Sequence, residues 1–133
     1  GVAYENNPNL DIREYIHDMP DCLAAADLVI ARAGAITLAE LTAVGRASVL
    51  IPSPNVAENH QYHNAMVLAN HKAAVVIEEK DLTGEKLVAA VKEMTADPEK
   101  LREISLAAKA LGVPNACGHI TDELLDLYKT HRK

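Results

Sequence analysis

Residues 27–40 read Asp-Leu-Val-Ile-Ala-Arg-Ala-Gly-Ala-Ile-Thr-Leu-Ala-Glu, and this stretch contains three consecutive elements. The apolar run at 28–30 is typical of a buried parallel strand. Residues 32–34 form a tight turn with a single glycine, Gly34, and residues 35–44 are helix-forming up to a natural stop at Gly45. The stretch therefore predicts a strand that leads through a small-residue turn into a helix.

Such a turn leaves free backbone N–H groups at the C-terminal end of the strand. Open α/β sheets bind ligands at this end, and a phosphate is favoured there by the unpaired donors and the helix dipole. Glu40 lies about one turn into the helix, where its carboxylate can accept two hydrogen bonds from a diol such as a ribose. The turn contains neither G-x-G-x-x-G nor a P-loop. An ordinary strand-turn-helix, whose glycine only relieves crowding, is therefore an equal alternative on local evidence.

Strands and helices alternate along the rest of the chain. Further strands are expected at residues 2–4, 11–16, 47–51 and 73–77, and a solvated charged turn at 78–81. Further helices are expected over 20–26 and 58–70, from the caps Thr83 and Asp97, and after the break at 112–114. The alternation predicts an α/β fold, a Rossmann-like parallel sheet with helices on both faces.

Composition limits the class of protein. The 133 residues suffice for one domain or a piece of one, and 49% of them are hydrophobic, as expected of a globular fold. The net charge of −6 and the low aromatic content, four Tyr without Trp or Phe, argue against a nucleic-acid partner. Two distant cysteines, Cys22 and Cys117, predict reduced thiols and a cytoplasmic protein without a signal peptide. Because the first residues already look like a strand, we expect a fragment of a larger parent.

Three segments at residues 15–19, 32–40 and 58–65 occur in an order and spacing that closely resemble the donor-binding half of proteins of the MurG family. These segments read Tyr-Ile-His-Asp-Met, Arg-Ala-Gly-Ala-Ile-Thr-Leu-Ala-Glu and Glu-Asn-His-Gln-Tyr-His-Asn-Ala. The resemblance implies a two-domain GT-B glycosyltransferase that inverts configuration. Its members transfer N-acetylglucosamine (GlcNAc) from UDP-GlcNAc to lipid I and so form lipid II of peptidoglycan. The family uses no metal bound by Asp-x-Asp, a motif that this sequence lacks, so no cofactor and no metal are expected.

The resemblance also assigns the substrate-binding residues. It implies that the backbone of Ile16 pairs with the uracil edge, with Tyr15 and Met19 packing nearby, and that Glu40 holds the ribose hydroxyls. Gln61 matches the amide that hydrogen-bonds the sugar hydroxyls, and His60 stands at a position that is glutamine in some members. The diphosphate turn and its continuation comprise Gly34, Ala35, Ile36, Thr37 and Leu38.

The resemblance covers essentially all of residues 1–133, which it identifies as a partial C-terminal domain that binds UDP-GlcNAc. It implies that the acceptor-binding N-terminal domain, with the catalytic base, the lipid I site and the membrane contact, is absent. No catalytic residue is therefore expected in this chain, which we expect to be inactive alone. The parent is expected to be peripheral on the cytoplasmic face of the cell membrane.

Several alternatives stay open. The chain could be a non-catalytic donor-binding subunit of a split N-acetylglucosaminyltransferase, or belong to a related GT-B enzyme such as a UDP-GlcNAc epimerase. Arg32 could neutralise phosphates or form an ion pair with Asp18 or Asp27. His60 and His63 have helical i, i+3 spacing, but the sequence places no third metal ligand beside them.

Overall fold

The computed structural model describes residues 7–131, so the strand expected at residues 2–4 lies outside the described part. Strands and helices alternate as the sequence predicts. The strands are β1 (Val29–Ala31), β2 (Ser48–Leu50) and β3 (Val75–Val76). The helices are α1 (Met19–Ala25), α2 (Ala35–Val44), α3 (His60–Asn70), α4 (Gly84–Thr95), α5 (Pro98–Ala110) and α6 (Ala116–Thr130), with short 3-10 turns at Ala57–Asn59 and Glu79–Asp81.

The three strands form a parallel sheet in the order β1-β2-β3. Ile30 lies opposite Val49, and Leu50 lies opposite Val76. The carboxyl ends of all three strands therefore meet at one edge of the sheet. The turn after β1, the proline loop after β2 and the charged turn after β3 all begin at this edge.

The central strand β2 is buried on both faces, which confirms the predicted α/β layering. Leu50 packs into a core built with α1, α2 and α3, whose members include Leu23, Leu41 and Leu68. Val49 points to the other face and packs with Met94 of α4. Successive side chains of a strand point to opposite faces, so these neighbours on β2 belong to two separate cores.

Helix ends follow the predicted signals. Gly45 ends α2 with φ of 70°, a left-handed conformation that favours glycine. Thr83 accepts a hydrogen bond from the backbone N–H of Lys86 at 3.1 Å, and Asp97 accepts one from Glu99 at 3.0 Å. Arg46, just beyond α2, donates to the Leu23 carbonyl at 2.9 Å and so fixes the end of α1 beside α2.

The expectation of a strand at residues 11–16 is wrong. This segment forms no strand and pairs with none of the three strands of the described sheet. Ile12 and Tyr15 are accordingly exposed. The apolar residues of α6 are also not buried among the described residues, since Ile120 and Leu124 are each 61% exposed. Neither segment is part of the two cores.

Candidate functional site

The N-terminus of α2 presents free backbone donors. Gly34 is its N-cap, and the first amide of the helix with a partner is Leu38, which donates to the Gly34 carbonyl at 3.0 Å. The hydrogen bonds described for residues 7–131 do not involve the N–H groups of Ala35, Ile36 or Thr37. Three adjacent donors at the positive end of a helix dipole favour an anion such as a phosphate.

The structure gives no internal reason for glycine at position 34. Its φ of −68° and ψ of 145° are accessible to any residue. A Cβ added there would lie 3.8 Å from the Thr37 hydroxyl, which is ordinary van der Waals contact. The alternative in which this glycine only relieves crowding within the chain is therefore not supported. The open space beside the turn permits a ligand to approach the backbone closely.

Two neighbouring cavities bring predicted site residues together. One, of about 480 Å³, is lined by Ile16, Met19 and Glu40, and the other, of about 450 Å³, is lined by these three residues and by Thr37. The uracil-binding and ribose-binding positions, on α1 and α2 and in the segment before α1, thus face shared space. Glu40 is exposed, and its carboxylate makes no hydrogen bond or ion pair with any residue from 7 to 131.

Sequence reasoning missed Arg13, which also lines the 480 Å³ cavity. Its guanidinium forms ion pairs with Asp11 at 2.7 Å and with Asp18 at 3.0 Å. The hydrogen bond and charge of Arg13 lower the pKa of Asp11 below its ordinary value. The only signal in the sequence is an arginine flanked by two aspartates, which is too common to identify a cavity residue.

The remaining residues of the turn differ in exposure. Ala35 is exposed and Ile36 is 77% exposed, so both are accessible from solvent. Leu38 is only 7% exposed and belongs to the core, while its N–H is already bonded. A substrate contact of Leu38 stays a prediction that rests on the resemblance alone.

Gln61 and His60 begin α3, which packs against α2. The Gln61 side-chain oxygen accepts a hydrogen bond from the Ser53 backbone N–H at 2.9 Å. This bond fixes the side chain and leaves its NH₂ group available as a donor. His60 Nδ1 lies 2.9 Å from the Ala57 carbonyl, and this pairing requires a proton on Nδ1 and leaves Nε2 for other partners.

Arg32 forms an ion pair, but not with either predicted partner. Its guanidinium contacts the carboxylate of Glu79 and donates to the Ile51 carbonyl at 3.3 Å. Asp18 is instead paired with Arg13. The charged turn at 78–81 is solvated at Lys80 and Asp81, as predicted, whereas Glu78 and Glu79 are half-buried and Glu79 holds Arg32. Arg32 and Glu79 are 47 residues apart, so no local pattern in the sequence indicates this ion pair.

The described residues contain neither a metal-binding cluster nor a membrane-spanning helix. Between residues 7 and 131, no three His, Cys, Asp or Glu side chains gather in a group that could hold a metal ion. The pair of His60 and His63 therefore gains no third ligand in this part of the chain. No helix in the same range combines the length and apolar character needed to cross a bilayer.

Comparison with known proteins identifies the family. The model of the glycosyltransferase family 28 C-terminal domain matches residues 2–120. The chain belongs to this family. A family 28 relationship agrees with the MurG resemblance, with the α/β fold and with the free amides at the start of α2.

Similar proteins carry one function in their names. A UDP-N-acetylglucosamine–N-acetylmuramyl-(pentapeptide) pyrophosphoryl-undecaprenol N-acetylglucosamine transferase of Desulforamulus reducens is 48% identical over 120 residues, which cover 90% of this chain and 32% of the relative. A transferase of the same name, numbered 1, from Bacillus cereus is 46% identical over 129 residues, 96% of this chain and 35% of the relative. The family 28 chain therefore spans about a third of the length of these relatives.

A solved structure shows the same fold. The crystal structure of Acinetobacter baumannii MurG is 31% identical in sequence and superposes with a TM-score of 0.83. The match covers 92% of this chain and 36% of that one. The similarity confirms the MurG resemblance and the Rossmann-like architecture expected of a family 28 C-terminal domain.

Proposed function

We propose that this chain is the UDP-GlcNAc-binding part of a glycosyltransferase that transfers GlcNAc to lipid I in peptidoglycan synthesis. The proposal is supported by the names of the relatives and by one arrangement of residues. Three unpaired amides at the start of α2 and the free carboxylate of Glu40 are placed next to cavities that Ile16 and Met19 also line. A nucleoside diphosphate has a matching group for each feature: the phosphates for the amides, the ribose for Glu40 and the base for the space beside Ile16 and Met19.

Each part of the donor has a matching group in the chain. The diphosphate would accept hydrogen bonds from the amides of Ala35, Ile36 and Thr37, where the helix dipole favours its charge. The ribose hydroxyls would donate to Glu40, and the uracil edge would pair with the backbone of Ile16. The NH₂ group of Gln61, held in place by its bond with Ser53, would donate to a sugar hydroxyl.

The same amides would contribute to catalysis. Negative charge grows on the UDP leaving group as its bond to the anomeric carbon breaks. Fixed donors at the start of α2 stabilise this charge more strongly in the transition state than in the bound substrate, which lowers the barrier. An acceptor hydroxyl, activated by a base outside this chain, attacks from the opposite face, so the configuration inverts.

The relatives are about three times as long as this chain, and we propose that the acceptor side lies in their remaining length. Residues 1–133 are therefore proposed as a partial C-terminal domain, with lipid I and the membrane surface contacted by an N-terminal domain. Such a protein would be cytoplasmic and peripheral on the inner face of the cell membrane. No residue of this chain is proposed as the catalytic base.

Glu40 provides the test. We expect Glu40→Ala in the full-length encoded protein to weaken UDP-GlcNAc binding by about ten-fold or more, since hydrogen bonds to a charged group contribute roughly 1.5–3 kcal/mol. Titration calorimetry measures the affinity, and Glu123→Ala, which removes an exposed carboxylate on α6, is the control. Equal affinities of the two variants would exclude Glu40 from the site and contradict the proposal.

A further inference from the structure

Arg32 crosses the ligand-binding edge of the sheet. It leaves the end of β1, donates to the Ile51 carbonyl at the end of β2 at 3.3 Å, and reaches Glu79 at the end of β3. Neighbouring strands lie about 4.8 Å apart, so the Arg32 and Glu79 side chains together bridge roughly 10 Å across this edge. The Arg32 guanidinium lies where open parallel sheets bind their ligands.

The position of Arg32 also joins the two parts of the proposed donor site. Its Cα is two residues from Gly34 and therefore within about 7 Å of the turn with the free amides. Its second partner, Ile51, precedes by two residues the Ser53 amide that holds Gln61. The backbone of Arg32 thus adjoins the diphosphate turn, and the carbonyl that its guanidinium contacts adjoins the segment that holds the sugar-binding amide.

The bond between Arg32 and Glu79 is easily exchanged. The side chains are 52% and 37% exposed, and ion pairs with such exposure contribute little because solvent screens them. A diphosphate carries more charge than a carboxylate, and its oxygens match the planar guanidinium fork. A bound diphosphate therefore competes well with Glu79 for the same cation.

We propose that Arg32 exchanges Glu79 for the donor diphosphate, so that Glu79 is a positioning residue that holds the guanidinium before the nucleotide binds and lowers donor affinity. The inference rests on the proposed function, since it requires a diphosphate at the Gly34 turn. Glu79 keeps Arg32 extended across the strand ends when the site is empty. On binding, the guanidinium keeps its place near Ile51 and turns its free N–H groups to the phosphate oxygens.

Binding of uridine and UDP by the full-length encoded protein separates the possibilities. We expect Glu79→Gln to raise the affinity for UDP by roughly two- to five-fold, because the competing charge is removed, and to leave uridine binding unchanged. Arg32→Gln should weaken UDP binding about ten-fold or more with no effect on uridine. Arg32→Lys keeps the charge but loses the planar fork, so its UDP affinity should lie between those of the unaltered protein and of Arg32→Gln.

The matched control is Glu78→Gln, because Glu78 is the adjacent half-buried carboxylate and pairs with Lys80 rather than Arg32. Its UDP affinity should equal that of the unaltered protein. A lower UDP affinity of Glu79→Gln, or equal losses of affinity for UDP and uridine in the Arg32 variants, would show that the ion pair is only a structural clamp. Either result would overturn the exchange but leave the proposed function standing. Absence of UDP binding by the unaltered protein would overturn the proposed function and the exchange with it.

Discussion

Gly34→Ala separates the stability of the fold from binding at the turn. The backbone at this residue, with φ of −68° and ψ of 145°, is accessible to alanine, and the new Cβ would lie 3.8 Å from the Thr37 hydroxyl. Alanine reduces the entropy of the unfolded chain, a gain of about 0.4–1 kcal/mol, but is a poorer N-cap than glycine by a similar amount. We therefore expect the free energy of unfolding to change by less than about 1 kcal/mol.

Binding of a diphosphate should respond much more strongly. The added methyl group would lie beside Thr37 and the three free amides. Under the proposed function it occupies the space through which phosphate oxygens reach these amides. Overpacking of a close contact typically costs about 1–3 kcal/mol, which corresponds to a loss of affinity of roughly five- to 150-fold. Uridine lacks the phosphates, so its affinity should stay nearly constant.

The assay combines thermal unfolding with calorimetric titration of UDP and uridine into the full-length encoded protein. Gly84→Ala is the control, since a Cβ at this first residue of α4 meets nothing within 4 Å. It should leave both affinities unchanged. Undiminished UDP affinity of a folded Gly34→Ala protein would refute the view that the space beside this glycine admits phosphate.

Two further predictions concern stability. Gly45→Ala should lower the free energy of unfolding by roughly 1–3 kcal/mol, because a φ of 70° strains alanine and its Cβ would approach Lys109 Cβ to 2.8 Å; an unchanged melting temperature would contradict this. Ser48→Ala should raise stability by about 1 kcal/mol, because the buried Ser48 hydroxyl has no hydrogen-bond partner among the described residues. Urea unfolding measures the second change, and a loss of stability would imply that the hydroxyl has a partner.

Local sequence signals predicted the central elements well. The apolar runs, the glycine stop and the caps Thr83 and Asp97 act over a few residues, so their positions can be read from the chain. The segment at 11–16 shows the limit of this approach. Its apolar residues suggest a strand, but a strand exists only beside a partner, and none of the described strands supplies one.

The candidate site divides in the same way. The turn at Gly34 and the position of Glu40 follow from the sequence alone, because the strand, turn and helix that place them are contiguous. The approach of Ile16 and Met19 to Glu40 depends on the packing of α1 against α2. Sequence similarity implied this approach, but local periodicity could not.

The sequence by itself determined the three described strands and the helices between and after them, the small-residue turn at Gly34 and the family, since each depends on short-range patterns or on motifs in register. Only the tertiary structure decided that Arg32 pairs with Glu79, that Arg13 joins the cavity and that α6 is not buried among the described residues. Parallel strands distant in sequence end at one edge of the sheet. Contacts at this edge join residues that are far apart along the chain, so no local sequence pattern can predict them.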